Sequence, residues 1–138
     1  MVTLLIGKKG TGKTKKLISL ANEAVAASTG NVVVIEKGSK LTYDVTHKAR
    51  LIDTEQYLIS GYDMLFGFIS GICAGNYDVT DILVDSTFKI CPEAQVLKPS
   101  QRSFRILPKL HQLTLFSLFL LTKAKFRSQS TLFAARFN

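Results

Sequence analysis

The sequence predicts an α/β fold in which a parallel sheet is flanked by helices. Three observations lead there. Short apolar runs rich in β-branched residues recur at residues 2–6, 31–36 and 81–85; a stretch of helical period separates the first two; and a glycine-rich turn joins the first run to that helix. At 138 residues the chain is the size of one ordinary domain.

Residues 2–6 form a continuous apolar run that stops at Gly7, as a buried strand does on entering a tight turn. From Thr14 onward Leu17, Ile18, Ala21, Ala24, Val25 and Ala27 recur at spacings of three and four, which predicts a helix. Gly30-Asn31 ends it after Ser28-Thr29. Asn31-Val32-Val33-Val34-Ile35-Glu36 predicts a second strand covered on both faces, followed by a Lys37-Gly38-Ser39-Lys40 loop. Ala49-Arg50-Leu51-Ile52-Asp53 is a short third strand. Ser60-Gly61 starts a second helix that runs through Met64, Leu65, Phe68, Ile69 and Ile72 to Ala74-Gly75-Asn76. Gly67 and Gly71 weaken that helix and are expected to permit close packing on the sheet. Asp81-Ile82-Leu83-Val84-Asp85 predicts a buried strand ending on a carboxylate, with Asp78 and Asp81 as turn residues at its opposite end.

The formal net charge of +8 is confined to one part of the chain. Residues 1–93 hold ten basic and ten acidic side chains, whereas residues 94–138 hold eight basic ones and no acid. Cys73 and Cys91 lie far apart with no Cys-x-x-Cys pair, and His47 and His111 are equally remote. No disulfide framework or zinc site is expected. The first residues lack a basic stretch and their apolar run breaks at Gly7, so no signal peptide is expected and the cytoplasm is the expected location.

Gly7-Lys8-Lys9-Gly10-Thr11-Gly12-Lys13-Thr14 fits the Walker A pattern G-x-x-x-x-G-K-[ST] at every position. Glycines at 7, 10 and 12 allow the main chain to turn its N–H groups onto phosphate oxygens, and the following helix adds its positive end. Lys13 is expected to reach the β- and γ-phosphates, and the Thr14 hydroxyl to ligate Mg2+. A random chain of this length would carry the pattern about once in a few hundred, and here it also lies between a strand and a helix. The plainer alternative is a flexible glycine turn with solubilising lysines. For Lys15 and Lys16 a solvated helix face is the better reading.

Asp85 closes an apolar strand and is the candidate Walker B carboxylate, holding Mg2+ through its water shell. Asp53, at the end of the third strand, is its rival, because carboxyl ends of parallel strands line the ligand crevice. Efficient ATPases often have a glutamate after the Walker B aspartate; here that position is Ser86. Arg50 is the only arginine before residue 94 and so the one candidate for an arginine finger in cis. Lys89, Glu55 and Tyr57 suggest no role beyond the surface.

On these motifs residues 1–91 resemble P-loop NTPases. More narrowly they are similar to short bacterial P-loop proteins of unassigned function, some described as ATP-binding or twitching-motility ATPase-like. The matching stretches are residues 7–14, Val32-Val33-Val34-Ile35-Glu36-Lys37-Gly38 and Asp81-Ile82-Leu83-Val84-Asp85-Ser86-Thr87. The resemblance implies a P-loop NTPase-like parallel sheet whose last third adds a helix and another strand. It implies nothing firm about substrate.

Residues 92–138 depart from that pattern and are expected to be a basic, aberrant or poorly ordered tail, derived from a reading-frame shift near Cys91. If Leu121-Thr122-Lys123-Ala124-Lys125-Phe126-Arg127 were encoded CTG-ACA-AAA-GCG-AAG-TTC-CGG, reading from the third base would give Asp-Lys-Ser-Glu-Val-Pro, which resembles what the family has after its last strand. The competing reading is a genuine basic tail. Its apolar stretch 113–121 is about half the roughly 20 residues that span a bilayer. Neither a membrane nor a nucleic acid is the expected partner, and packing or disorder is the plainer reading.

The function expected from the sequence is binding of ATP or GTP with Mg2+, with slow hydrolysis open. The runner-up is a small phosphotransferase of nucleotide-kinase type. The third is a non-enzymatic nucleotide-gated interaction module, or an inactive product of a damaged gene. No protein partner is named by any motif.

Overall fold

The computed structural model describes residues 2–7, 9–92 and 130–136, the first and last of these spans chiefly by their main-chain path. Eight elements follow in chain order: β1 (Val2–Gly7), α1 (Lys13–Ala27), β2 (Asn31–Glu36), β3 (Arg50–Asp53), α2 (Tyr62–Gly75), β4 (Val79–Val84), α3 (Thr87–Ile90) and β5 (Ser130–Arg136). The strands form one sheet in the order β1-β5-β4-β2-β3.

The α/β class is as expected, but the sheet is mixed rather than wholly parallel. β2 pairs parallel with β3 and with β4, while β5 runs antiparallel to both β1 and β4. Two reversals restore direction, so β1 points the same way as β2, β3 and β4. Their carboxyl ends therefore share one edge of the sheet. The reversal comes from Ser130–Arg136, which lies within the stretch assigned to the tail. That stretch thus contributes a strand to the sheet, and residues 93–129 and 137–138, including the apolar 113–121, fall outside the described ones.

Alternation along the strands sorts the core into two layers. Val32, Val34 and Leu83 pack with Leu17, Ala21 and Ala24 of α1, joined by Leu41, Val45 and Ala49 from the segment linking β2 to β3. Val33, Ile35, Ile52, Ile82 and Val84 face the other way, onto Leu65 and Ile69 of α2, with Ile59, Ile90 and Cys91. The helices thus cover opposite faces of β2 and β4. Leu17, Ile35, Leu65, Ile69 and Ile82 are among the side chains removed from water completely or nearly so. Truncating a leucine or isoleucine in such surroundings costs about 2–5 kcal/mol.

Two local expectations fail. Gly67 and Gly71 lie on the exposed side of α2, with nothing within 4 Å of where a β-carbon would stand, so they serve no close packing. Asp81 is not a turn residue: it is the third residue of β4 and is buried, opposite Val32 on one side and Arg136 on the other. Only Asp78 lies in the exposed turn before the strand.

Candidate functional site

At one end of the carboxyl edge, β1 finishes at Gly7 and α1 begins at Lys13. The turn between them rests on glycine: Gly10 and Gly12 have φ of +87° and +78°, conformations that a side chain makes costly. Gly12 is the residue that enters α1, and its carbonyl accepts the first helical bond from the Lys16 N–H at 3.0 Å. Among the described residues no side chain caps the helix, and no acid lies in its first turn. The helix dipole and the exposed Lys9, Lys15 and Lys16 therefore add their positive potentials at this end. Lys13 turns back over the loop, its Nζ donating to Thr11 Oγ1 at 3.2 Å, and Thr14 is exposed. Gly7 is described by its main chain, and Lys8 lies outside the described residues.

The other end of the same edge is acidic. Glu36 and Asp53 are opposite one another at the ends of β2 and β3, and the Asp85 N–H donates to the Ile35 carbonyl at 2.8 Å, just past β4. Because Ile35, Ile52 and Val84 belong to the α2 layer, alternation turns Glu36, Asp53 and Asp85 toward the α1 layer. Three carboxylates on neighbouring strands thus point to the face on which α1 starts.

Their hydrogen bonds separate their roles. Glu36 is 2 % exposed and accepts from the Lys40 and Leu41 N–H groups at 3.1 and 3.2 Å. Burial holds its carboxyl above the usual range, opposed by the bonds from Leu41 and Lys40, while the nearby Asp53 and Asp85 charges add to the rise. Asp53 Oδ1 accepts from the Gly38 N–H at 2.8 Å and the Glu55 N–H at 2.9 Å. Both groups organise loops. Asp85, half-buried, accepts at Oδ2 from the neighbouring Ser86 hydroxyl at 3.1 Å, its one hydrogen bond among the described residues. Ser86 has φ of +54°, which leads the chain sharply into α3.

These bonds bear on the expected metal ligands. Mg2+ takes hard oxygen donors, usually one or two from protein with phosphate and water completing the octahedron. The Thr14 hydroxyl and the Asp85 carboxylate fit that donor chemistry, and Asp85 keeps one oxygen with no protein partner among the described residues. Asp53 likewise keeps Oδ2 without a protein partner among the described residues, but its Oδ1 gathers two loop N–H groups that fix the carboxylate's orientation. No group of three or more acids, histidines or cysteines suited to a metal occurs among the described residues, so any ion there would rely on phosphate and water oxygens.

Arg50 begins β3 and is exposed at the amino edge of the sheet, the edge opposite the glycine turn between β1 and α1. It is not placed to act as a finger. Lys89 offers its main-chain carbonyl to Lys37 Nζ at 3.0 Å, and the Tyr57 ring lies 6.1 Å from that of Phe68. Cys73 and Cys91 are free thiols, the second buried. No helix among the described residues is long and apolar enough to cross a membrane.

Glu36 is the residue of this edge that sequence reasoning passed over. Nothing in the sequence sets it apart at the end of an apolar strand, and only the fold of residues 37–41 over it reveals a buried acceptor. No protein-family model matches the chain, and neither a curated protein nor a solved structure matches it.

Proposed function

We propose that this chain binds a nucleoside triphosphate, ATP or GTP, with Mg2+, and that residues 7–14 are the phosphate-binding loop of a P-loop NTPase-like domain. The observation that carries the reading is the agreement between motif and backbone. A complete Walker A sequence lies between a strand and a 15-residue helix, and two of its glycines adopt left-handed φ. In this reading the loop amides and the start of α1 hold phosphate oxygens, Lys13 leaves Thr11 to reach the β- and γ-phosphates, and Thr14 ligates the metal. Asp85 approaches the ion through water. The two free thiols accord with a cytoplasmic setting.

Binding is supported more strongly than turnover. The position after Asp85 is a serine whose hydroxyl is engaged by that aspartate, so no carboxylate stands there to orient a water. Titration of Mg-ATP and Mg-GTP by calorimetry tests the site, with Lys13→Ala as the control. Unchanged affinity in that variant overturns the reading.

A further inference from the structure

We infer that β5 sets the position of the phosphate loop, so that triphosphate affinity is governed from the far end of the sequence. This rests on the nucleotide-binding reading above and adds a positioning element to it.

The sheet order carries the inference. Among the described residues β1 has one strand neighbour, β5, and their pairing runs from Val2 opposite Ala135 to Gly7 opposite Ser130. The last pair includes the first residue of the Walker A motif. The loop is thus suspended between two anchors of different origin. Its helical end is fixed by Leu17, Ala21 and Ala24, which pack on β2 and β4, whereas its strand end is hydrogen-bonded into the sheet through β5, with Leu5 of β1 packed beside the α1 layer.

β5 also fixes the level of Asp85. Phe133 lies opposite Leu4 on one side and Val84 on the other, so one residue of β5 sets both ladders. Gly7 is three residues beyond Leu4, and Asp85 is one residue beyond Val84. Laterally the two strands are two steps apart, about 10 Å. A two-residue slip of either ladder preserves which face each side chain meets, yet it displaces the loop relative to Asp85 by about 7 Å. Such a shift is too large for one Mg2+ and its water shell to bridge as before. Ser130–Arg136 is therefore a positioning strand for the site while touching neither metal nor phosphate.

The test uses the full chain. Thr3 and Ala134 are opposite one another, and directly opposed residues of an antiparallel pair have Cα separations within the range a disulfide accepts. Thr3→Cys with Ala134→Cys should form that bond on mild oxidation, identified by peptide mapping against Cys73 and Cys91, with Mg-ATP affinity within about twofold of the parent. Ala134→Pro, which breaks a central strand, should weaken Mg-ATP at least about tenfold. In hydrogen exchange the Val2–Gly7 amides should then lose protection while Val33, Val34 and Ile35 keep theirs. Parental affinity in Ala134→Pro overturns the inference, as does a folded double-cysteine variant that forms no 3–134 bond. If the proline variant loses protection everywhere, the cross-link decides. If the parent binds no triphosphate, the nucleotide reading fails, and the cross-link and exchange pattern still decide the role of β5.

Discussion

The two ends of the carboxyl edge are built from opposite materials. At the β1–α1 end the chain is glycine-rich, basic and largely exposed, and its helix start is left without a side-chain cap. At the β2–β3–β4 end three carboxylates face the same layer, and two of them are committed to main-chain N–H groups of adjoining loops. The difference teaches how to separate a carboxylate that shapes the fold from one able to serve a ligand. Glu36 and Asp53 each hold a loop in place, whereas Asp85, among the described residues, meets its neighbour's hydroxyl alone. Opposite charge at the two ends creates a field across the edge; on the proposed reading, the phosphates lie toward the lysines and the cation toward Asp85.

Breaking the basic end should have the largest effect. Lys13→Ala removes a charged donor, worth about 1.5–3 kcal/mol, and should weaken Mg-ATP roughly ten- to a hundredfold by calorimetry with the melting temperature little changed. At the acidic end the effects should divide. Asp53→Ala removes the acceptor of the part-buried Gly38 N–H and the exposed Glu55 N–H and should cost about 1 kcal/mol in urea unfolding, with or without Mg2+. Asp85→Ala should do the reverse, leaving stability nearly intact while lowering Mg-ATP affinity about tenfold. If Asp53→Ala loses Mg2+-dependent affinity and Asp85→Ala does not, the assignment of the two carboxylates is wrong.

Glu36 supplies a smaller, pH-dependent distinction. Its carboxyl is raised in the fold relative to the unfolded chain, so the folded state binds the extra proton. The stability this contributes is fully present below the unfolded value of about 4.5 and is lost as pH rises through the folded one. Urea midpoints from pH 4 upward should therefore fall less steeply in Glu36→Gln than in the parent; identical slopes would falsify the assignment. The smallest effect lies away from both ends. Gly67→Ala and Gly71→Ala meet no neighbour and should each stabilise α2 by about 0.5–1 kcal/mol, visible as a rise in melting temperature with no change in triphosphate affinity.

What could be read from the sequence follows the range of the interaction involved. β2 falls where predicted because four consecutive β-branched residues leave little choice, and α1 begins one residue before the predicted Thr14 because the glycine turn fixes its entry. The motif residues were legible for the same reason: residues 7–14 are contiguous. Strand β4 begins two residues early, since Val79-Thr80 is brought into the ladder beside Asn31, a contact with no local signal. Asp53 stood as a rival to Asp85 among strand-terminal carboxylates, and no local signal announced the Gly38 and Glu55 N–H groups that gather on it. β5 was illegible for the strongest form of that reason. Its partners Thr3 and Leu83 lie far away in sequence, and an acid-free stretch carries no mark that one piece of it will enter a sheet.

The β1–β5 ladder also has a bearing on time. Its paired residues, from Gly7 with Ser130 to Val2 with Ala135, are more than 120 positions apart, whereas β2, β3 and β4 find their neighbours within a few dozen. Closing the longer loop has the higher entropy cost and gains nothing until the strands meet. The first strand in the sequence is thus among the last to be seated. In refolding, the helices and the β2–β4 core should gain exchange protection early, and the capacity to hold a triphosphate should return in a later phase of its own.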